Sequence, residues 1–420
     1  MSLPTPDPEV HPDLRVDSQR LWQSLEHFAG IGATARGGCN RQALTDEDRQ
    51  GRDTFSAWAQ QAGCTVSVDA IGNLYARRRG SADGAAPVLA SSHLDTQATG
   101  GRFDGVYGVL AGLEVIRVLN DHNIVTRRPI EVVSWTNEEG CRFVPAMLGS
   151  GTAAGTHELG FALERRDAAG RSVGEELERI GYRGSRPAQP FAVHAAFEAH
   201  IEQGPILERD GATIGVVTGI QGLHWLDVVL TGVSCHAGPT PMELRQDPWR
   251  AATRIIAGAL ALADARSPWG RCTVGNVSCS PGARNTVPET VSIAIDIRHP
   301  QREVLEQMHA ELGVLADAEA RQARVAARLE PVWHMPPTAF EPRLVELVAA
   351  TARRLGYRQQ RITSGAGHDS LNIARFAPTT MIFVPCAGGL SHNEAEHAEP
   401  ADLAAGANVL LHAVLATANE

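Results

Sequence analysis

Paired cysteines, excess positive charge, a hydrophobic leader and long apolar runs are all missing from this sequence, and each lack narrows what the chain can be. The seven cysteines (Cys39, Cys64, Cys141, Cys235, Cys272, Cys279, Cys386) form an odd set with no CxxC pair. That points away from a disulfide framework and from a thiolate zinc site, and makes reduced thiols in the cytoplasm the expected state. Lys+Arg number 38 against 48 Asp+Glu, a formal net charge of −10, so neither nucleic acid nor an anionic membrane surface is an expected partner. No stretch reads as approaching the roughly 18 apolar residues of a membrane-crossing helix. The opening MSLPTPDPEVHPDLRVDS carries no basic segment followed by an apolar one, so nothing in it directs secretion. Internal repeats and low-complexity tracts are not evident either.

What remains is the balance of a folded α/β enzyme: 420 residues, 43% hydrophobic, 20% charged, with 41 Gly and 24 Pro spread along the chain. That length exceeds one ordinary compact core and implies two domains of unequal size. From Val88 to about Ile206, short apolar runs alternate with helical spacing, as in VLASSHLD, then Val109, Leu113 and Ile116, then PIEVVSW. Strand, helix, strand predicts a mostly parallel sheet. The style changes near Gly211–Gly222: HWLDVVLTGV, a helix from Pro248, the strands VGNVSCS and TVSIAIDIRH, and a helix after Pro300 read as an inserted α+β domain. PVWHMPPTAFEP reads as the Pro-rich linker back. The expected fold is therefore an α/β catalytic domain of residues 1–212 and 332–420, split by a smaller α+β domain of residues 213–331.

Chemistry-bearing residues gather where strands of such a sheet end. His93 and Asp95 lie at i and i+2 after an apolar strand and so share a face, as a metal ligand and its orienting carboxylate would. Asp104 sits in the Gly-flanked loop GGRFDGVYG, ahead of a helix beginning near Tyr107. WTNEEG sets Glu138 and Glu139 side by side; adjacent residues point apart, so one can bind metal while the other faces substrate. AHIEQGP adds His200, and LSHNEAEH adds His392. Taken singly, these are equally a hydrogen-bonded His–Asp pair, a helix-capping Asp and a solvated acidic turn. Together they supply three His, two ligand carboxylates and a spare Glu, the needs of a dinuclear site with positions left open for water. Oxygen and imidazole donors without thiolate suit Zn²⁺, and also Mn²⁺, Co²⁺ or Ni²⁺.

The ordered set SSHLDTQATGGRFDGVYGVLAGLEV, TNEEGCRFVPAMLGSG, EAHIEQGPILE, GVSCHAGPTPMELRQDP, GARNTVP, DIRHP, SGAGHDS and GGLSHNEAEH resembles the amidase/hydantoinase/carbamoylase branch of the aminoacylase-like di-metal hydrolases. That branch includes N-carbamoyl-L-amino-acid hydrolases, β-ureidopropionases and allantoate amidohydrolases, and the resemblance runs from about Arg15 to the C-terminus. It implies that His93, Asp104 and His200 hold one metal and Asp104, Glu139 and His392 the other, with Asp104 bridging. It further implies Glu138 as general base and Asp95 as the group orienting His93. In the inserted domain it implies His236 for the oxyanion, Asn285 for polar contacts and Arg298 for the substrate carboxylate, whose shape a guanidinium fork matches. Gln203 and His368 fall in pocket motifs of the family and are expected near substrate. Ser91 and Pro239 depart from the family pattern, and neither is a ligand.

By this resemblance the inserted domain is a lid and dimerisation domain, the protein a homodimer, and the reaction hydrolysis of the ureido C–N bond of an N-carbamoyl amino acid. Three other readings compete. Allantoate hydrolysis shares nearly every motif. An aminoacylase or dipeptidase usually has a carboxylate where this chain has His200. A non-catalytic metal-binding scaffold is expected to have lost a ligand or Glu138, and none is missing.

Overall fold

The computed structural model describes residues 13–82 and 84–420. Most of the polar opening segment, residues 1–12, thus lies outside the described residues. The chain divides into two compact units, Met1–Thr218 with Phe340–Glu420, and Gly219–Ala339.

In chain order the strands are β1 (Thr65–Val68), β2 (Leu74–Arg78), β3 (Val88–His93), β4 (Ile130–Trp135), β5 (Ala195–Ile201), β6 (Ile214–Ile220), β7 (Gly222–Thr231), β8 (Cys235–His236), β9 (Arg271–Ser280), β10 (Thr286–Val287), β11 (Thr290–His299), β12 (Ala326–Met335), β13 (Thr338–Ala339), β14 (Gln359–Ser364) and β15 (Thr379–Val384). In the first unit the sheet runs β1-β2-β4-β3-β5-β15-β6. Its four central strands, β4, β3, β5 and β15, are mutually parallel. Antiparallel neighbours flank them, β2 beside β4 and β6 beside β15. Every residue of β3, β4, β5 and β15 is buried, as parallel strands covered on both faces require.

The helix Val106–Asp121 packs over β3, and the helix Pro400–Ala418 packs on it and on β15. This last helix corrects the sequence reading. Its 19 residues, with mean hydropathy 1.4, are long and apolar enough to cross a membrane, yet 78% of that window is buried inside the protein. The run is hard to see because Ala and Gly, interrupted by Asn408 and His412, carry much of it.

The second unit is a four-stranded antiparallel sheet, β12-β7-β11-β9. Along β11, Val291, Ile293, Ile295 and Ile297 face inward in strict alternation. They join Leu226, Val228 and Leu230 of β7 in a core with Ile255, Leu305, Met308 and Leu312 from the helices Pro248–Asp264 and Arg302–Ala323. Both expected domain boundaries fall too early. Residues 214–218 lie in the first unit, where β6 pairs with β15 through Val216 and Val217. Residues 331–335, read as linker, complete β12. Pro331 fits there because β12 is an edge strand, and the register with β7 shifts between Pro331 and Trp333; Pro is tolerated at edges and bulges.

Arg52 anchors the site loop to the scaffold. Its guanidinium is 2.7 Å from Asp48, donates 2.7 Å to the Gly72 carbonyl and reaches Thr136 at 3.3 Å, just past β4. Both side chains of the pair are almost wholly buried. Arg52→Ala therefore strands a buried carboxylate and should cost about 3–5 kcal/mol. Denaturant titration checks this; a midpoint unchanged from wild type would show that the pair contributes nothing.

Candidate metal centre

The parallel strands deliver their C-terminal ends to one edge of the sheet. His93 closes β3 in register with Trp135, the last residue of β4. His200 lies one residue from the end of β5, opposite Phe383 of β15. Glu138 and Glu139 follow β4, and His392 follows β15. Asp104 precedes the helix Val106–Asp121 but makes no cap bond to it. Its carboxylate turns instead toward the imidazoles.

Asp104 stands at the centre. Its Oδ1 lies 3.1 Å from His200 Nε2 and 3.6 Å from His93 Nε2, while Oδ2 lies 3.4 Å from His392 Nε2. His392 Nε2 is also 3.3 Å from Glu139 Oε2. Two overlapping donor groups result, His93–Asp104–His200 and Asp104–Glu139–His392. Gly105 makes the first possible: its φ is +67°, and a Cβ there would meet the His93 ring at 2.2 Å. Only glycine takes that backbone at so close an approach.

The donors fit divalent metal ions. Donors held about 2.0–2.2 Å from a tetrahedral ion lie roughly 3.3–3.6 Å apart, close to the 3.1–3.6 Å seen here. The imidazoles are also presented correctly. His93 Nδ1 is 2.9 Å from the Asp95 carbonyl and His200 Nδ1 is 2.9 Å from the Ile201 carbonyl, so each Nδ1–H is engaged. Each Nε2 is thereby left to face Asp104, and the Gly105 nitrogen lies 3.2 Å from His200 Nε2.

Asp95 is placed differently from its expected role. Its carboxylate is 4.0 Å from His93 Nδ1, and its carbonyl makes the contact. The carboxylate oxygens instead accept the backbone N–H groups of Glu138 and Glu139, each at 3.2 Å. That pins the acidic pair. Asn137 and Gly140 on either side of the pair take positive φ. Glu138 Oε2 reaches 3.6 Å from His93, and Glu139 is held by Gln97 through Nε2 at 2.7 Å and N–H at 3.1 Å.

Gln203 donates to Asp104 Oδ2 at 2.8 Å and lies beside Ser391 and His392. Asn137, Gln203 and His392 all adopt left-handed backbone, the kind of strain that gathers at working sites. His368 is buried with its ring 4.6 Å from that of His200, its Nε2 on Ser364 Oγ at 3.0 Å.

The other three expected residues belong to the second unit. His236 is exposed on β8, opposite Thr286 of β10, and the Asn285 carbonyl takes the Ala237 N–H at 2.9 Å. These two are neighbours. Arg298 on β11 grips Asp296 through Nε and Nη2 at 2.7–3.0 Å, and Asp296 also accepts from the Trp225 indole.

Three further acids were missed. Glu396 Oε1 accepts the N–H groups of Phe103 and Asp104 at 2.9 and 3.1 Å and so fixes the bridging residue's loop. Glu198 takes Ser92 and Ser370 hydroxyls at 2.9 and 2.6 Å. Its spacing of two before His200 on one strand face was a usable signal. Asp369, fully buried, has both carboxylate oxygens without a hydrogen-bond partner, and only its place beside His368 hinted at it.

Crowding sets the electrostatics. Burial, reinforced by neighbouring acids, pushes Glu138 and Glu139 well above the usual carboxylate range and Glu396 up to about 7. Burial works against a charged His93 and His200, but the carboxylates outweigh it and raise both. Asp104 goes the other way: burial opposes its charge, yet hydrogen bonds from His200 and His93 hold it well below the ordinary value. Burial, aided by His200, keeps His368 neutral.

Comparison with known proteins accords with this geometry. Residues 89–416 match the model of peptidase family M20/M25/M40. The chain belongs to that family. It is 48% identical to an N-carbamoyl-L-amino-acid amidohydrolase of Rhizobium meliloti over 96% of this chain and 97% of that one. It is 33% identical to the allantoate amidohydrolase of Bacillus subtilis, covering 92% and 94%. A crystal structure of a hydantoinase/carbamoylase family amidase from Burkholderia multivorans superposes with TM-score 0.94 at 51% identity, covering 97% of this chain and all of that one. The branch of the family that the sequence motifs resemble is thus the branch to which the chain is similar throughout.

The raised groups give a pH signature. Glu396, at about 4.5 unfolded and about 7 folded, lends stability fully present below about 4.5 and lost as pH climbs to about 7. Glu138 and Glu139 act in the same direction. Metal binding displaces those protons and gains with pH. The Tm difference between metal-loaded and chelator-stripped protein should therefore widen from pH 4.5 to 7; a difference independent of pH would contradict this.

Proposed function

We propose that this protein hydrolyses the ureido C–N bond of N-carbamoyl amino acids, taking up one water and releasing the amino acid, ammonia and carbon dioxide. The observation that carries this is end-to-end similarity, at 48% identity, to a protein named for that activity, joined to an unbroken donor cluster around Asp104. Allantoate is the second substrate class, favoured by the Bacillus subtilis relative.

His93 and His200 would hold one divalent ion and Glu139 and His392 the other, with Asp104 shared; Zn²⁺ is the proposed metal, and Mn²⁺, Co²⁺ or Ni²⁺ suit the same donors. Bound there, such ions supply carbonyl polarisation and a water acidified toward neutral pH. Glu138 would accept a proton from the attacking water and pass it to the leaving nitrogen, a shuttle suited to a buried carboxyl whose affinity for protons is raised. Asp95 acts as a positioning residue by fixing the Glu138–Glu139 backbone. Gln203 and His368 are assigned to the substrate side of the pocket.

Residues 219–339 are proposed as lid and dimerisation domain of a homodimer. There His236 serves the oxyanion, Asn285 polar substrate atoms and Arg298 the substrate carboxylate, with Asp296 holding the guanidinium in place. A cytoplasmic setting is part of the proposal, and seven unpaired thiols accord with it.

The deciding assay is ammonia release from metal-reconstituted protein on N-carbamoyl-L-amino acids, N-carbamoyl-β-alanine and allantoate. Turnover should favour a carbamoyl acid; turnover of allantoate alone moves the assignment to the second class. Glu138→Gln should keep its metals while kcat falls about 10²–10⁴-fold. Metal lost together with activity would instead make Glu138 a ligand. Arg298→Ala should raise KM for an N-carbamoyl acid far more than for its uncharged amide, and equal loss on both would remove the carboxylate-reading role.

A further inference from the structure

The second unit holds a cluster of ligating side chains that the reaction above does not use. On the antiparallel pair β7 and β12, His224 and His334 stand directly opposite each other. Their rings stack at 4.2 Å, 13° from parallel. The helix Arg302–Ala323 presents Glu306 and His309 to them, one turn apart and so on one face. Glu306 Oε1 lies 3.4 Å from His224 Nε2 and 3.5 Å from His334 Nε2. The His309 ring is 4.6 Å from that of His224. Ligand atoms of His224, Glu306 and His309 all fall within 4.8 Å of one another.

No well-aligned hydrogen bond holds this grouping together. Two imidazole Nε2 atoms converge on one carboxylate oxygen. His224, only 5% exposed, has its Nε2 buried with no hydrogen-bond partner. A buried polar atom left so is costly unless something occupies the space it faces. A cation held by these donors removes the cost. The 3.4 Å between His224 Nε2 and Glu306 Oε1 matches the edge of a tetrahedron with bonds of about 2.0–2.2 Å. Side chains of Glu306 and His334 are nearly half exposed, which gives an ion a way in and leaves room for a water ligand.

We infer that His224, Glu306 and His309 form a metal site of their own, with His334 stacked on His224 beside it, binding one late first-row divalent ion of the Zn²⁺, Ni²⁺ or Cu²⁺ class. Two imidazole nitrogens and one carboxylate oxygen, with water completing the shell, select such ions over Mg²⁺ or Ca²⁺. The ion would pin the helix Arg302–Ala323 to the strand β7, a structural role rather than a catalytic one.

The test uses the full-length protein, stripped by chelator and dialysed to equilibrium against micromolar free Zn²⁺. Metal per chain is counted by mass spectrometry for wild type and for the double variant Glu306→Gln/His334→Gln, whose exposed positions spare the core. The variant should hold one Zn²⁺ fewer per chain than wild type while hydrolysing substrate at the wild-type rate. An equal metal count in the two proteins overturns the inference. Should the double variant not fold, His309→Gln alone must weaken the uptake of one equivalent at least tenfold, and unchanged uptake overturns the inference equally.

Discussion

Asp104 and the acids around it are the constraint on which the catalytic unit rests. Asp95, Asp104, Glu138 and Glu396 are buried within one cluster, the half-buried Glu139 beside them, and His93, His200 and His392 face them. Burying carboxylates at such density is unfavourable by several kcal/mol each unless cations offset it. The protein responds by raising the proton affinity of most of the group while holding Asp104 ionised between His93 and His200. A site of this kind is held together against its own repulsion by the scaffold and completed by bound positive charge.

The scaffold meets that demand through backbone more than through side chains. Asp95 engages the N–H groups of Glu138 and Glu139, Glu396 those of Phe103 and Asp104, and carbonyls of Asp95 and Ile201 orient the two imidazoles. These contacts gather at the edge where the parallel strands end and the chain leaves the sheet. Arg52 joins the end of β4 to Asp48 and the Gly72 carbonyl, so the acidic loop is tied to the body of the unit. Ligand geometry and fold stability therefore share residues here.

Much of this was legible beforehand, because strand periodicity and strand-end motifs are local. SSHLD, GGRFDG, TNEEG, AHIEQGP and LSHNEAEH named His93, Asp104, Glu138, Glu139, His200, Gln203 and His392, all now found around the Asp104 carboxylate. Glu396 acts through backbone groups almost 300 residues away, and no spacing rule reports that. The Asp95 carboxylate was read as the partner of His93 because i and i+2 share a face in a strand. Past His93 the chain is no longer strand, and the carbonyl takes that place. Pro331 was read as a breaker because edge position is a property of the sheet, not of the segment. The His224, Glu306, His309 and His334 group was invisible for a similar reason: it joins two strands and a helix spread over more than a hundred residues, and no motif marks it.

The central claim is that Asp104 bridges two metal positions, Oδ1 toward His93 and His200 and Oδ2 toward Glu139 and His392. Anomalous diffraction at the zinc edge from crystals of the zinc-loaded protein measures this directly. The account predicts two peaks about 3.5–4 Å apart, one on each side of the Asp104 carboxylate. A single peak, or a second one ligated by Glu138 in place of Glu139, would contradict it.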